Sequence, residues 1–369
     1  MKLRFNREEI ADALSALCSV AASRTPKDIL KCVSIDAQSD VLFLEATDLE
    51  LSLRCSLTQV EIDEPGRAVV IADTLNRIVH EASDETMVMH TDATQMHVKG
   101  RGSHFKIVTH DPQDFPAIPR MPDAPTFNVE VEQLRKQIEW TVLSAARETS
   151  RFAINGVLWE LADGKLTLAA TDGRRLSIAP GTAEVGSKSE ETTSVIVPTK
   201  ALSIFTRLSG DHEGQVSVSL ADNLIMMVIG NAQLGSSLVE GSFPNFRDVV
   251  PADCDQVATL DKAEFLGALK QASLLTNEES KGVRLAFTNG DLTISSRAPE
   301  QGEATISIPV EYKHDAIEIG FNPVFLVDVL RVVDESEVRL AMKDANRPGL
   351  LTTDKDYVYV VMPVSLKSG

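Results

Sequence analysis

Apolar positions along this chain switch between two periods, and the switching itself recurs. Ile10, Leu14, Leu17 and Ala21 fall at helical spacing, as do Leu134, Ile138 and the run from Trp140 to Val142, and again Phe265, Leu269 and Ala272. Each stripe predicts a leading amphipathic helix, begun near Asn6, Val131 and Asp261. Asn6 with Glu9 and Asp261 with Glu264 have the spacing of a capping box. Between the stripes the pattern is strand-like. Asp163-Gly164 and Asn289-Gly290 sit between alternating apolar runs, which predicts tight hairpins at 162–165 and 288–291, and 36–40 plays the same part earlier. Apolar strands at 69–71, 195–197 and 317–319 each precede a second helix, predicted over 75–80, 201–208 and 324–332. Asn322-Pro323 marks the start of the last, with Asn as cap and Pro in the first turn.

The whole unit of helix, strands, helix and strands returns after roughly 125 residues, three times over. Thr47-Asp48 closes a strand in the first copy and Thr171-Asp172 does so in the second, 124 positions later. The third copy keeps only Leu292-Thr293-Ile294-Ser295-Ser296-Arg297. The first two copies end alike, at Asp114-Phe115-Pro116 and Ser242-Phe243-Pro244, and the third at Tyr357-Val358-Tyr359-Val360-Val361-Met362-Pro363. Two helices against many antiparallel strands predict an α+β unit. Segments rich in Pro and acidic residues near 111–126 and 248–260 place boundaries, giving expected domains 1–125, 126–253 and 254–369.

Composition narrows the class. A chain of 369 residues with 43% hydrophobic content is long enough for two or three packed cores. No stretch approaches the ~20 apolar residues of a membrane helix, and the opening Met1-Lys2-Leu3-Arg4-Phe5 alternates like a strand, unlike a signal peptide. Cysteines 18, 32, 55 and 254 show no CxxC pairing, which predicts reduced, buried thiols and a cytoplasmic protein without a membrane partner. The net charge of −18 argues against nucleic acid, but a total says nothing of distribution. Acidic residues crowd loops, while Arg24, Lys27, Arg77, Arg135, Lys136, Arg147, Arg151, Lys200, Arg207, Lys262, Lys270, Lys281 and Arg331 lie on or beside the repeated helices.

Catalytic signatures are missing. Seven histidines are scattered without HxxxH or HExxH spacing, and there is no GxSxG, no GxxxxGK[ST] and no GxGxxG after a strand. The sequence calls for no metal, no cofactor and no catalytic residue. Thr171-Asp172-Gly173-Arg174-Arg175 joins a carboxylate to two guanidinium groups, and reads either as an acid–base cluster or as a strand-end turn in which Asp-Gly supplies the backbone geometry.

Taken together, Thr171-Asp172-Gly173-Arg174-Arg175-Leu176, the stretch from Glu240 to Phe246, Ile319-Gly320-Phe321-Asn322, the terminal Val360-Val361-Met362-Pro363 and the strand from Phe152 to Glu160 resemble the signature stretches of the bacterial DNA sliding clamps, the β subunits of DNA polymerase III. The resemblance spans the chain in order and spacing and is weakest in the first unit. It implies three clamp domains per chain, joined head-to-tail with a second copy into a ring that encircles duplex DNA, helices lining the hole and an acidic outer wall. It implies a non-catalytic processivity factor whose partners are the replicative polymerase, the clamp loader and other clamp-motif proteins. Sequence-independent contact with DNA would fall to Arg24 first, then Lys27, Arg147, Arg151 and Lys200. A partner-peptide pocket between the middle and last domains would be walled by Ile154, Thr171, Gly173, Arg174, Arg175, Leu176, Pro244, Val249, Phe325, Val360, Met362, Pro363 and Val364, with Met adapting to several peptides.

The chain departs from the family's pattern at several points. Asp248 and Ser365 stand where basic residues are usual, Arg174 where histidine is common, and Asp73-Thr74 where a basic pair is common. On residues alone two other readings stay open: a three-repeat protein-binding scaffold that never encircles DNA, and an enzyme built on Asp172 and Arg175.

Overall fold

The computed structural model describes residues 1–22, 24–147, 153–185, 192–210, 212–276, 282–299 and 301–365. The chain forms two compact units. One contains Met1–Arg135, Ala183–Ser189 and Lys200–Leu238, the other Lys136–Thr182, Glu190–Thr199 and Val239–Gly369.

Six α-helices are present among the described residues: α1 (Arg7–Val20), α2 (Ala72–Glu81), α3 (Val131–Val142), α4 (Thr199–Ser209), α5 (Lys262–Ala272) and α6 (Pro323–Val332). Their starts follow from local chemistry. The Asp261 carboxylate accepts the Glu264 N–H at 2.8 Å, the bond a capping box requires. Asn322 accepts the Val324 N–H at 3.0 Å, with Pro323 in the first turn. Asn6 instead accepts from Glu8 at 2.9 Å, one residue earlier than the box predicts, because either early amide of the first turn satisfies a cap. The predicted apolar stripes face inward, with Ile10, Leu14 and Leu17 fully buried in α1 and Phe265, Leu269 and Ala272 in α5. The second helices begin one to three residues earlier than their apolar stripes predict. No described helix is long and apolar enough to cross a membrane.

In the first unit, a five-stranded antiparallel sheet has the order Val60–Glu64, Lys2–Asn6, Thr86–Thr91, Gln95–Lys99, His104–Val108. A nine-stranded sheet runs Glu184–Val185, Phe127–Glu130, Gln215–Ala221, Leu224–Ile229, Ala232–Ser237, Leu51–Leu57, Leu42–Thr47, Cys32–Ala37, Gly66–Ile71. In the second unit an eight-stranded sheet runs Thr193–Pro198, Gly156–Ala162, Lys165–Thr171, Arg175–Ala179, Val358–Val361, Gly349–Thr352, Glu337–Met342, Gln256–Asp261. A four-stranded sheet has the order Gly302–Pro309, Asp291–Ala298, Val283–Thr288, Ile317–Phe321. The predicted hairpin at 162–165 closes with Asp163 at φ 50° and Gly164 at φ 73°, the left-handed pair of a two-residue turn. That at 288–291 closes with Gly290 at φ 90°.

The two long sheets are each joined by a seam between successive sequence repeats. Leu51–Leu57 of the first repeat pairs with Ala232–Ser237, the last strand of the second, with Leu53 opposite Leu234. Arg175–Ala179 of the second repeat pairs with Val358–Val361, the last strand of the third, with Leu176 opposite Val360. These ladders are why the compact units do not follow the repeat boundaries read from sequence.

Candidate functional site

In each seam one strand, Leu51–Leu57 or Arg175–Ala179, is entered through a Thr-Asp turn, and the second of these turns anchors the candidate site. The Thr171 hydroxyl donates to the Arg175 carbonyl at 2.6 Å and accepts the Gly173 N–H at 3.0 Å. Asp172 accepts the N–H groups of Arg174 at 2.9 Å and Arg175 at 3.1 Å. Gly173 sits at φ 83°, where a side chain is strained. The cluster read as either acid–base site or turn is therefore a turn, with the Thr171 hydroxyl and one Asp172 oxygen committed to the backbone.

Arg175 points inward. Its Nε donates to Asp172 at 3.1 Å and its Nη1 to Asp328 of α6 at 2.8 Å, its side chain is 9% exposed, and the guanidinium lies 4.5 Å from the centre of the Phe325 ring. Burial works against its charge, but the Tyr359 hydroxyl and the two carboxylates outweigh burial and hold its pKa above the ordinary arginine value. The Tyr359 hydroxyl donates to the Phe325 carbonyl at 2.8 Å, and burial raises its pKa. Arg175 thus fastens the turn, α6 and the C-terminal strand together, and Arg174 is the exposed guanidinium of the pair.

Beyond the seam the chain end is held by backbone. Met362 N–H donates to the Arg174 carbonyl at 2.8 Å and Val364 N–H to the Gly320 carbonyl at 2.8 Å. Leu176 and Val360 share a buried cluster with Ala153, Leu158, Ala169, Ile196 and Phe246, and Phe243 and Val250 pack half-buried on it. Among the predicted wall residues, Ile154 is buried, Pro244, Phe325, Pro363 and Val364 are half-buried, and Gly173 is exposed. Val249 and Met362 are 53% and 41% exposed, large apolar side chains left in water within this unit. The rim carries Asp248, which accepts from Asn245 at 2.6 Å, and Arg247, which pairs with Glu160 and stacks on Phe246. Ser365 is exposed. Asp328, Tyr359, Phe243 and Phe246 are the site residues that the motif reading did not assign. Asp328 and Arg175 are 153 positions apart, and nothing local in the sequence links them.

The cationic candidates divide. Arg24 and Lys27, in the connection after α1, and Arg147, after α3, are exposed and make no ion pair with another described residue. Lys200, in the first turn of α4, is held by Asp48 at 2.6 Å, the aspartate of the first Thr-Asp turn. Arg151 lies outside the described residues. Much of the basic charge read as lining the helices is already engaged: Arg77 pairs with Asp73 at 3.0 Å, Lys136 with Asp334 at 2.8 Å, Lys262 donates to the Val333 carbonyl at 3.0 Å, and Arg207 donates to the Ala16 carbonyl at 3.3 Å and to Ser19. No group of three or more His, Cys, Asp or Glu side chains suited to a metal ion occurs among the described residues. The four cysteines are free, and burial pushes the Cys55 thiol up to about 12.

Comparison with known proteins matches the three repeats in order. Residues 1–119 match the family model described as DNA polymerase III beta subunit, N-terminal domain, residues 128–245 the central domain and residues 247–365 the C-terminal domain. A beta sliding clamp of Chlamydia pneumoniae is 31% identical over 367 residues, covering 99% of each chain. One from Pseudomonas putida is 33% identical over 369 residues, covering 99% of this chain and 100% of the other. A solved sliding clamp from Pseudomonas aeruginosa bound to griselimycin superposes with a TM-score of 0.92 at 32% identity, covering 99% of this chain and 100% of that one.

Proposed function

The chain belongs to the DNA polymerase III beta-subunit family, the bacterial beta sliding clamps, and from that premise we infer that it is the non-catalytic processivity clamp of the replicative DNA polymerase. Two copies close head-to-tail into a ring around duplex DNA, and the ring tethers the polymerase while sliding. Retention is topological, so no base edge is read and single contacts can be weak. Duplex DNA carries a charge every ~1.7 Å of its axis, which gives a sequence-independent attraction to exposed Arg and Lys.

The observation that carries this reading is a pairing rule used twice in the chain and left open once. The strand after the second hairpin of one repeat pairs with the last strand of the next, at both seams. The rule leaves two members without a partner: His104–Val108, the last strand of the first repeat and the edge of its sheet, and Gly302–Pro309, the corresponding strand of the third repeat and the edge of its own. Both edges border exposed apolar side chains, Phe105 and Val108 at 39% and 67% on the first, and Leu274 at 76% in the segment beside the second. Lys99, Arg101 and Lys106 accompany the first edge, and Glu303 and Glu311 the second. Pairing these edges between two copies repeats the internal seam, makes a heterologous contact, and closes after two. The domains then run 1–125, 126–253 and 254–369.

The partner pocket belongs to the second seam. We assign its floor to Leu176 and Val360, its walls to Ile154, Thr171, Gly173, Pro244, Val249, Phe325, Met362, Pro363 and Val364, and its charged rim to Arg174, with Arg175 holding the frame. A short peptide of the polymerase, of the clamp loader or of another clamp-motif protein would bury Val249 and Met362 there. DNA contact falls to Arg24, Lys27, Arg147, Arg151 and Lys200. Four free thiols, Cys32 and Cys55 buried and Cys18 and Cys254 half-buried rather than buried as expected, suit a reducing cytoplasm. The scaffold reading is disfavoured, because the family matches cover all three repeats. The test is to load the protein on nicked circular DNA and follow its release. Retention on circles and prompt loss on linearisation is the expected result; equal release from both would defeat the ring.

A further inference from the structure

Three histidines that look scattered in the sequence form a ladder on the outer face of the five-stranded sheet. His90, His97 and His104 are spaced by seven, the length of one strand and its turn, so each hairpin returns the chain to the same face. The inward partners on those strands, Met89, Met96, Val98 and Ile107, are buried. The His90 and His97 rings stack with centroids 4.4 Å apart at an angle of 9°, and His97 and His104 at 5.2 Å. His97 Nε2 lies 2.9 Å from an Asp92 carboxylate oxygen, and His97 Nδ1 lies 2.9 Å from His104 Nε2.

This geometry dictates where protons sit. Asp92 accepts from His97 Nε2–H, so in a neutral ladder His97 Nδ1 is a lone pair and His104 Nε2–H donates to it. The chain His104 to His97 to Asp92 ties the edge strand His104–Val108 to its neighbour. One added proton is accommodated, since either imidazole can donate to the other. A second sets two N–H groups against each other at 2.9 Å. The surroundings add to the repulsion. Lys99 and Lys106 flank His104, Lys99 also faces His90, and Lys2, paired with Asp63 at 2.9 Å, lies opposite His90 across the ladder of the next strand. Asp92 supplies the compensating carboxylate, its pKa held at about 2, by the His97 bond first and by the Thr94 and Gln95 amides after it.

We propose that ring closure is proton-gated: full protonation of the His90–His97–His104 ladder unties the edge strand His104–Val108 and weakens its pairing with a second copy. The proposal rests on the reading that this strand is a dimer edge. Its sign follows from the folded state. Burial first, then Lys99 and His97, hold the His104 pKa below the ordinary histidine value; burial first, then Lys99, lower that of His90. Groups with depressed histidine pKa values contribute stability that is complete above about pH 6.5 and is lost as the pH falls through that value towards the folded pKa.

The experiment measures the dimer dissociation constant of the full chain by sedimentation at fixed salt, from about pH 7.5 to about pH 5.5. The wild-type constant is expected to rise by about tenfold or more, and that of the His97→Gln/His104→Gln variant, which keeps polar groups but cannot titrate, to change by less than about threefold. Circular dichroism at each pH separates edge release from unfolding, because loss of the whole sheet would lower both proteins' signals together. A wild-type constant indifferent to pH, or a variant that follows the wild type, overturns the gate and leaves the ring standing. A protein monomeric at every pH overturns both.

Discussion

The turns at 47–51 and 171–175 hold their backbones with the same four hydrogen bonds and differ in what they attach. In the first, Thr47 donates to the Leu51 carbonyl at 2.7 Å and accepts from Leu49 at 3.0 Å, while Asp48 accepts from Glu50 at 3.0 Å and Leu51 at 2.7 Å. The counterparts at Thr171 and Asp172 are 2.6, 3.0, 2.9 and 3.1 Å, so only the last, from the Arg175 N–H, is clearly longer. Both turns lead into a seam strand. Their shared Thr and Asp are therefore fold chemistry, and function lies in the residues that differ. Position three is Leu49 at φ 82° in one copy and Gly173 at φ 83° in the other. Position five is Leu51 against Arg175. The free oxygen of the aspartate takes Lys200 in the first copy and Arg175 in the second. One turn holds the lysine proposed for DNA contact; the other builds the frame of the proposed pocket.

The largest effect should come from removing what only the second turn has. Arg175→Ala leaves Asp172 and Asp328, 20% and 29% exposed, without their shared cation. We expect a loss of about 2–4 kcal/mol in chemical denaturation, together with weakened polymerase binding. A loss below about 0.5 kcal/mol would reduce Arg175 to an ordinary surface residue.

Swapping the third positions should act in opposite directions. Leu49 is 56% exposed in a left-handed conformation, so Leu49→Gly sheds strain while losing little burial, and is expected to stabilise by about 0.5–1 kcal/mol. Gly173→Ala is expected to destabilise by about 1 kcal/mol. The same sign for both in thermal unfolding would show that the two turns are not equivalent in the folded chain.

The smallest stability effect belongs to Lys200→Ala, which removes an ion pair whose lysine is 56% exposed, worth about 0–1 kcal/mol. Its consequence appears in the salt dependence of DNA binding, whose slope should fall by about one phosphate contact. Asp48→Asn, which keeps the turn's acceptor and releases the ammonium, should tighten DNA binding. If neither variant changes the slope, Lys200 does not touch DNA.

These contrasts also mark where sequence stops being informative. Helix starts at Asp261 and Asn322 and the Asp163-Gly164 hairpin are written in neighbouring residues, so they were legible and the structure contains them. The repeat and the Thr-Asp turns were legible for the same reason. The seams were not, because pairing Leu176 with Val360 is set by the folding of two repeats together. Arg175 was legible as a pocket-wall residue but not as the fastener of α6, because its Asp328 partner is 153 positions away, and the histidine ladder looked scattered because spacing by seven aligns side chains only once the hairpins exist.

In the proposed ring, one seam built twice inside the chain is built again between copies. Cysteine pairs scanned along residues 104–108 and 302–309 of the full-length protein test it most directly under mild oxidation. Covalent dimers confined to a single antiparallel register are expected, with doubly linked rings that stay on circular DNA at high salt and leave only when it is cut. Cross-links spread evenly over all registers, or none in any, would contradict it.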